Sequence, residues 1–265
     1  MRQGSGNLHI GDAVTQDGTQ AIRRAAEMLR CIARANDAGA STLREISETV
    51  GLSRSTAHRI LKCLTDEGLV AYDSATRRYE IGMLSYELGL AVTDRALGMV
   101  PLTAAADRIA LRANVTTYLM RRSGIEAVCV HKAEGRALIR AIPVEVGQRR
   151  LLGVGAGATA LLAAMGDEAV ERVLCSVEPQ LHRYNDLTTQ SIRAAAAQAK
   201  IDGFAESHGR AYASVYGLGM AVRSSTNIPS FALSIAVHAP EATPERIAEW
   251  KTIIAEEAAI AARGR

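Results

Sequence analysis

The sequence predicts an α+β protein with two domains. Its 265 residues leave room for two domains of modest size. The first 82 residues read as short amphipathic helices followed by a hairpin. Beyond residue 99, strand-like and helix-like runs mix without the regular alternation typical of a parallel sheet, so we expect an antiparallel one. We divide the chain into a disordered tail at 1–19, a first domain at 20–82, a linker helix at 83–98 and a second domain at 99–265.

The composition is that of an ordinary soluble protein, with 48% hydrophobic and 22% charged residues. The chain has no charge-free apolar run of ~18 residues and no secretory pattern at its N-terminus, so we expect a cytoplasmic protein without a membrane partner. Its four scattered cysteines favour reduced, mostly buried thiols: Cys31, Cys63, Cys129 and Cys175. The net charge of +3 does not by itself indicate nucleic-acid binding, and 4% aromatic residues disfavour a surface that stacks single-stranded bases.

Three helices are expected in the first domain. Apolar residues recur at helical spacing from Ile22 to Ala33, and this helix should end near residues 36–39. A second helix opens after Thr42, which has capping-box spacing to Glu45, and it ends at Gly51. A third helix opens after Ser53, a good N-cap, and should end by residue 68.

A hairpin and a linker helix complete the first half of the chain. Strand-like runs at 69–72 and 77–81 flank the polar turn 73–76. The linker helix follows, from residue 83 to about 97, with Leu84, Leu88 and Ala91 on one face.

The second domain should combine helices and strands around a glycine-rich loop at 153–157. We predict helices at about 101–113, 158–165, 167–175, 188–202 and 244–262. We predict strands at 116–121, 126–132, 138–142, 212–222 and 231–237.

Two short helices joined at residues 50–53 and followed by a hairpin form the pattern of a winged helix-turn-helix, whose second helix enters the major groove of DNA. Between Ser53 and Lys62 this helix carries three positive charges and no acid. A basic helix face alone is usually solvated surface, but the complete order of elements favours duplex DNA as the partner. The candidate DNA-binding residues are Thr42, Ser53, Arg54, Ser55, Thr56, His58, Arg59, Lys62, Arg77 and Arg78.

Charge placement, rather than total charge, must provide the affinity for DNA. Residues 1–82 hold eleven Lys or Arg and ten Asp or Glu residues, a net charge of +1. We therefore expect two copies of the chain to bind two half-sites together.

The segment Thr42–Ile81, which includes LREISETVGLSRSTAHRILKCLTDEGLVAYDSATRRYEI, resembles the winged helix-turn-helix of the IclR family of bacterial transcriptional regulators. Residues 20–265 fit the plan of that family. The resemblance implies a linker helix, a GAF-like effector-binding domain, and a dimer or dimer of dimers. It also implies binding to an operator near genes for the catabolism of small organic acids or aromatic compounds, with a small metabolite that modulates this binding.

The resemblance also places an effector pocket on the sheet of the second domain. The family's small-residue loop matches residues 152–160, and its helix start would favour a carboxylate. Here Gly153, Gly155, Ala158 and Thr159 stand where the family commonly has His, Thr or Ser, and Gly-Lys. We therefore expect a roomier, less polar pocket and a larger acid, such as an aromatic carboxylate. The matching positions are Gly155, Ala156, Gly157, Ser207, Val215, Gly217, Ala236 and His238.

Several side chains near these positions admit two interpretations. His208 and His238 are either ligand contacts or structural or exposed residues, and Arg210 either pairs with a carboxylate or faces water. The three tyrosines Tyr118, Tyr212 and Tyr216 either line the pocket or fill the core. Glycines at 155 and 157 bring backbone to a ligand or allow close packing of a helix on the sheet.

No catalytic motif is present, so we expect neither enzymatic activity nor a cofactor. The chain lacks G-x-S-x-G, H-E-x-x-H, a phosphate-binding Walker loop and a complete G-x-G-x-x-G. Cys129 and His131 lie two apart on a predicted strand, so they should point the same way; with Cys175 and His182 they could form a zinc site, but core thiols are the simpler interpretation.

Two other functions remain open at this stage. The chain could be a metabolic protein that binds a small molecule and uses the winged helix to dock a protein, or a structural oligomerisation module built on the linker helix. For the regulator, we hypothesise that the effector acts through the linker helix on the spacing of two DNA-binding domains.

Overall fold

The computed structural model describes residues 16–34, 41–92, 98–136, 144–184, 187–209, 214–223 and 229–263. Its internal contacts divide the chain into two units, Met1–Val92 and Thr93–Arg265. No helix in the described ranges is long and apolar enough to span a bilayer.

The first unit combines four helices with a small antiparallel sheet of strand order β1-β3-β2. Its helices are α1 (Gln16–Arg34), α2 (Leu43–Val50), α3 (Arg54–Asp66) and α4 (Met83–Leu90). Its strands are β1 (Ser41–Thr42), β2 (Val70–Asp73) and β3 (Arg78–Ile81). The core contains Met28, Ile32, Ile46 and Leu61, which are at most 1% exposed. The helix-turn-helix is thus held by one small apolar cluster.

Local capping signals in this unit are confirmed. The Thr42 hydroxyl accepts a hydrogen bond from the Glu45 N–H, and Glu45 accepts one from the Thr42 N–H at 2.7 Å. Gly51 ends α2 with φ +69°, in the left-handed region that favours glycine. Ser53 caps α3 as predicted. These short-range bonds fix where each helix begins and ends.

Two predicted boundaries are wrong. Helix α1 begins at Gln16, so the last four residues of the predicted disordered tail are helical, because an established helix extends backwards by one turn at little cost. Residues 1–15 lie outside the described ranges. The linker helix ends at Leu90 instead of 97, where Gly89 weakens the last turn, and residues 93–97 lie outside the described ranges.

The second unit is a six-stranded antiparallel sheet of order β6-β5-β4-β9-β8-β7 with helices on both faces, which confirms the α+β class. Its helices are α5 (Val100–Ala113), α6 (Ala156–Ala163), α7 (Asp167–Val177), α8 (Thr189–Asp202) and α9 (Pro244–Arg263). Its strands are β4 (Thr116–Ser123), β5 (Glu126–Ala133), β6 (Arg149–Leu151), β7 (Ala205–His208), β8 (Val215–Arg223) and β9 (Pro229–His238).

Alternate residues of the four inner strands supply two separate cores. On β4, Tyr118 and Met120 face the core formed with α6, α7 and α8, whereas Leu119 faces the core formed with α5 and α9. Trp250 of α9, 1% exposed, anchors the second core. Each inner strand of the sheet therefore contributes side chains to both cores.

The two edge strands were not predicted. Both β6 and β7 are short and carry polar residues, so neither shows the apolar alternation that marks a strand. The predicted strand at 138–142 lies outside the described residues, and so do residues 212 and 213 of the predicted strand 212–222.

A buried carboxylate ties α5 to α9 on one face of the sheet. Glu257, with a side chain 3% exposed, accepts hydrogen bonds from Arg108 Nε at 2.6 Å and Arg112 Nη1 at 2.8 Å. Burial raises the pKa of Glu257, but the two arginines outweigh burial and hold that pKa below its usual value of 4.5. The ionised carboxylate therefore stabilises the folded state.

We expect this ion pair to contribute to acid sensitivity. A carboxyl group whose folded-state pKa is lowered stabilises the protein above its unfolded pKa and loses that effect as pH falls through the folded pKa. Glu257→Gln should lower the free energy of unfolding by about 1–2 kcal/mol at pH 7, since the arginines are partly solvated. It should also reduce the loss of this free energy as the pH falls below about 4.5. Urea unfolding between pH 3 and 7 measures both effects. Exposed Glu249→Gln is the control, and equal behaviour of the two variants would contradict the assignment.

Candidate DNA-binding surface and effector pocket

The N-terminal turn of α3 presents a cluster of hydroxyl groups. Ser53 accepts a hydrogen bond from the Thr56 N–H, and its Oγ lies 3.1 Å from Ser55 Oγ and 2.9 Å from Thr56 Oγ1. Ser53 and Ser55 remain exposed, so the same turn combines hydroxyls with the partial positive charge of a helix start. Such a turn suits contact with a phosphate group.

The basic side chains of α3 lie on its solvent side. Arg54, His58, Arg59 and Lys62 are exposed. Within the described part of the chain, Arg54, Arg59 and Lys62 make no ion pair. Their charges are thus available to an anionic partner.

A groove of about 650 Å³ separates α3 from the hairpin, and we call it the basic groove. Three predicted α3 residues (Arg54, His58 and Lys62) line it, together with Thr42 and Arg77. Arg59 lies outside it, on the outer side of the helix. Arg44 and Tyr72 also line the groove, and sequence reasoning missed both; the outward position of Arg44 on the second helix is the signal that could have found it.

The hairpin turn is held by Asp73, whose carboxylate accepts hydrogen bonds from the Ala75 N–H at 2.9 Å and the Thr76 hydroxyl at 2.6 Å. These two bonds lower the pKa of Asp73. Arg77 follows with φ +56° and an exposed side chain. Arg78 is half-buried and acts electrostatically on Glu45, so it is less accessible than the sequence suggested.

In the second unit, seven of the eight predicted effector positions line one cavity between α6 and the sheet, which we call the sheet cavity. His238, half-buried at the end of β9, does not line it. The seven are Gly155, Ala156, Gly157, Ser207, Val215, Gly217 and Ala236.

The expectation of a roomy pocket is wrong. The sheet cavity holds about 60 Å³, enough for a few water molecules. Its small residues bring α6 close to the sheet: a Cβ on Gly157 would lie 2.8 Å from Met120 Cγ, and one on Gly219 would lie 2.8 Å from the Ala156 carbonyl carbon. Of the two interpretations of these glycines, close packing accounts for the volume.

The polar lining of the sheet cavity is richer than predicted. Ser234 is 6% exposed, and its hydroxyl makes no hydrogen bond within the described residues. Arg150 lines the same cavity, and its guanidinium donates hydrogen bonds to the Arg149 carbonyl at 2.8 Å and to Gln148 Oε1 at 3.3 Å. Sequence reasoning missed both, because Arg150 is on the unpredicted β6 and a serine in a strand carries no positional signal.

The cavity also receives the N-terminal end of α6. Gly155 caps this helix, and no side chain caps it. The leading N–H groups of a helix have no partner within the helix. Tyr118 also lines the cavity, and burial raises the pKa of its hydroxyl. A carboxylate in this cavity would meet a guanidinium, a hydroxyl and a helix start.

The remaining predicted candidates are scattered. His208 is exposed beside a different groove, and Tyr216 is part of the α5–α9 core. Arg210 and Tyr212 lie outside the described residues. Two of the four thiols, Cys63 and Cys175, are exposed rather than buried.

The four zinc candidates do not form a metal site. In β5, Leu119 pairs with His131 and Met120 with Cys129, so Val130 is a bulge that turns the strand. Cys129 therefore packs in the core beside α6, whereas His131 contacts Asp107 of α5 at 2.8 Å; the expectation that the two point the same way is wrong. Over the described ranges, no group of three His, Cys, Asp or Glu side chains could hold a metal ion.

Comparisons with known proteins agree with this architecture. The IclR helix-turn-helix domain matches residues 21–74, and the C-terminal domain of bacterial IclR regulators matches residues 101–261. The HTH-type transcriptional regulator Rv1719 of Mycobacterium tuberculosis is 31% identical over 223 residues, which cover 84% of this chain and 83% of that protein.

Solved structures share the fold. An IclR family regulator from Brucella abortus superposes with a TM-score of 0.78 at 17% identity, covering 96% of this chain and 97% of the other. An IclR homologue from Microbacterium hydrocarbonoxydans, complexed with 4-hydroxybenzoate, superposes with a TM-score of 0.68 at 21% identity, covering 92% of this chain and 98% of the other. The chain therefore belongs to the IclR family of bacterial transcriptional regulators, with an N-terminal helix-turn-helix and a C-terminal effector domain.

Proposed function

We propose that this regulator binds an operator in duplex DNA with α3 and the hairpin, and that a small carboxylate in the sheet cavity modulates the binding. The observation that carries the DNA-binding role is the face of α3, where Arg54, Arg59 and Lys62 are exposed without an ion pair in the described structure. The alternative of a metabolic protein that docks a partner through its wing has no support from the relatives, which are named as transcriptional regulators.

In this proposal α3 occupies the major groove. Arg54 and Arg59 reach base edges, where an arginine can read guanine through two hydrogen bonds. Hydroxyls at Ser53, Ser55 and Thr56 contact phosphates, and the hairpin tip at Arg77 grips the backbone or the minor groove. Thr42, His58, Lys62 and Arg78 complete the proposed surface, and the partly buried Arg78 contributes least.

Arg59→Ala should weaken binding to the cognate duplex by about 10–100-fold, the usual effect of losing a base-reading arginine. An operator is first selected from random duplex DNA with the unaltered protein, and affinities are then measured by fluorescence anisotropy. Lys62→Ala should weaken binding to all duplexes alike and reduce the salt dependence by about one phosphate contact. Arg30→Ala, an exposed arginine of α1, is the matched control. The surface is misassigned if all three variants bind equally well.

For the effector, the polar lining of the sheet cavity favours a carboxylate. Arg150 supplies the positive charge, Ser234 a buried hydroxyl, and α6 its N-terminal N–H groups. The 4-hydroxybenzoate bound by the Microbacterium relative is an acid of this class. The proposed lining includes the seven predicted residues of the cavity, while His238 lies beside it.

Arg150→Gln should abolish the thermal stabilisation that a bound carboxylate gives. A ligand at 100 times its Kd adds about 2.7 kcal/mol to the free energy of unfolding, which raises the melting temperature of a domain of this size by about 5–10 °C. Benzoate and 4-hydroxybenzoate are the first probes, measured by calorimetry of the full chain. Arg121→Gln, an exposed arginine on β4, should keep the shift. A shift that survives Arg150→Gln would remove this residue from the site.

We also propose that the chain works as a homodimer, or a dimer of dimers, with α4 in the interface. This helix exposes large apolar side chains to water: Met83 is 68% exposed, Tyr86 64% and Leu90 65%. A modest net charge in the first 82 residues makes a second copy on a second half-site necessary for useful affinity.

Replacing Tyr86 and Leu90 together with glutamate should shift the protein towards monomers in sedimentation velocity and weaken operator binding. Charges cannot be buried in an apolar interface without a partner. Glu87→Lys, on the same helix, should leave the assembly intact. Unchanged sedimentation of the double variant would place the interface elsewhere.

We place this activity in the cytoplasm, with the DNA, and propose no catalytic step. Rv1719 and the Brucella abortus protein are both named as transcriptional regulators.

A further inference from the structure

The sheet cavity adjoins a second, larger space. A groove of about 400 Å³ lies between α8 and β7, and we call it the outer groove. Gly155 and Ser207 line both the sheet cavity and the outer groove. The two spaces therefore share a wall formed by one glycine and one serine.

Neither residue of that shared wall has a bulky side chain. Gly155 has φ +81° and ψ 163°, a conformation essentially restricted to glycine, and a Cβ built on it would meet no atom within 4 Å. Ser207 is half-buried, and its hydroxyl makes no hydrogen bond to a described residue. Open space at the glycine and an uncommitted hydroxyl allow a ligand to extend from one space into the other.

The outer groove has its own chemistry. Asp202 accepts a hydrogen bond from Gln198 at 2.8 Å, and Glu206 accepts one from Lys251 at 2.7 Å. Burial raises the pKa of Glu206, but Lys251, with smaller contributions from Tyr216 and His208, outweighs burial and holds that pKa below its usual value. Among the described residues, neither Lys nor Arg lines this groove. Its carboxylates and amide favour a hydrogen-bond donor and disfavour a second anion.

The volumes of the sheet cavity and the outer groove determine which part of a ligand each space can hold. About 60 Å³ in the sheet cavity accommodates a carboxylate and a few further atoms. Close packing at Gly157 and Gly219 prevents enlargement towards the sheet, since α6 already touches it there. Gly155 and Ser207 line both spaces, so the rest of a larger acid can extend between them into the outer groove.

We infer, building on the proposed carboxylate site, that the outer groove is the entrance and the outer half of the effector site. The effector is then an acid that carries a hydroxyl or amino group at the end remote from its carboxylate. The carboxylate lies in the sheet cavity, and the donor group lies against Glu206 and Gln198.

The entrance can be tested without knowing the effector. Ser234→Cys places a thiol in the sheet cavity, in a background where exposed Cys63 and Cys175 are replaced by serine. The rate of labelling by the anionic reagent methanethiosulfonate ethylsulfonate is followed by peptide mass. Ala195→Trp, which fills the outer groove, should slow labelling at least tenfold, whereas Ala197→Trp, on the other side of α8, should not.

If the added thiol is never labelled, or is labelled equally fast in both tryptophan variants, the entrance is elsewhere. Should Ala195→Trp fail to fold, as judged by circular dichroism, exposed Ala194→Trp in the same groove replaces it.

The ligand class is tested with a matched pair of acids. In the full chain, 6-hydroxyhexanoate should raise the melting temperature more than hexanoate, and Ala195→Trp should remove the difference. Equal shifts, or no shift with either acid, overturn the ligand class. A different outcome is that Ala195→Trp slows labelling of the added thiol, while the increase in melting temperature caused by carboxylates does not depend on Arg150. This result would overturn the proposed carboxylate site but support the proposed entrance.

Discussion

The second unit depends on the close contact between the glycine-bearing start of α6 and the sheet. Gly157 and Gly219 leave no space for a methyl group, so the backbone of α6 lies directly on β8 and β9. This contact directs the N-terminal end of the helix at the sheet cavity, beside Ser234 and Arg150. It also makes the cavity small, because side chains that would hold the layers apart are missing. The same glycines that position the polar lining therefore limit what fits against it.

In the first unit, three acidic residues are engaged in local structure away from the cations of α3. Glu45 is engaged in a helix cap, Asp73 in the hairpin turn, and Glu48 in an ion pair with Arg44. Within the described residues, none of these three carboxylates is paired with a cation of α3. A domain with almost no net charge can thus present a positive face to DNA. For this reason the net charge of the sequence did not indicate DNA binding, whereas the pattern of helices did.

Sequence reasoning predicted the features that depend on neighbours along the chain. The capping box at Thr42, the left-handed Gly51 and the cap at Ser53 are all decided within four residues. Features decided by distant contacts were missed. The edge strands have no apolar period, the Val130 bulge reverses the direction of His131, and Arg150 reaches the cavity from a strand at the far edge of the sheet. The predicted pocket volume was wrong for a different reason. Small residues leave an open pocket only if the helix and the sheet stay apart, and here α6 packs directly on the sheet.

The close packing of α6 on the sheet limits how an effector can alter DNA binding. A ligand shifts a protein only by its differential affinity for two states, and coupling between sites is typically about 1–3 kcal/mol. A few well-placed atoms can supply this, since very small ligands gain up to about 1.5 kcal/mol per atom. The helix α6 already packs closely against the sheet. We therefore expect the affinity of the cavity for an acid to differ between two states of the protein only if α8 or β7 moves relative to α6. By reciprocity, the operator-bound state must then change the affinity for the acid by the same factor. Gly155 caps α6 and Ser207 lies on β7, so a movement of β7 relative to α6 would change the shared wall between the sheet cavity and the outer groove.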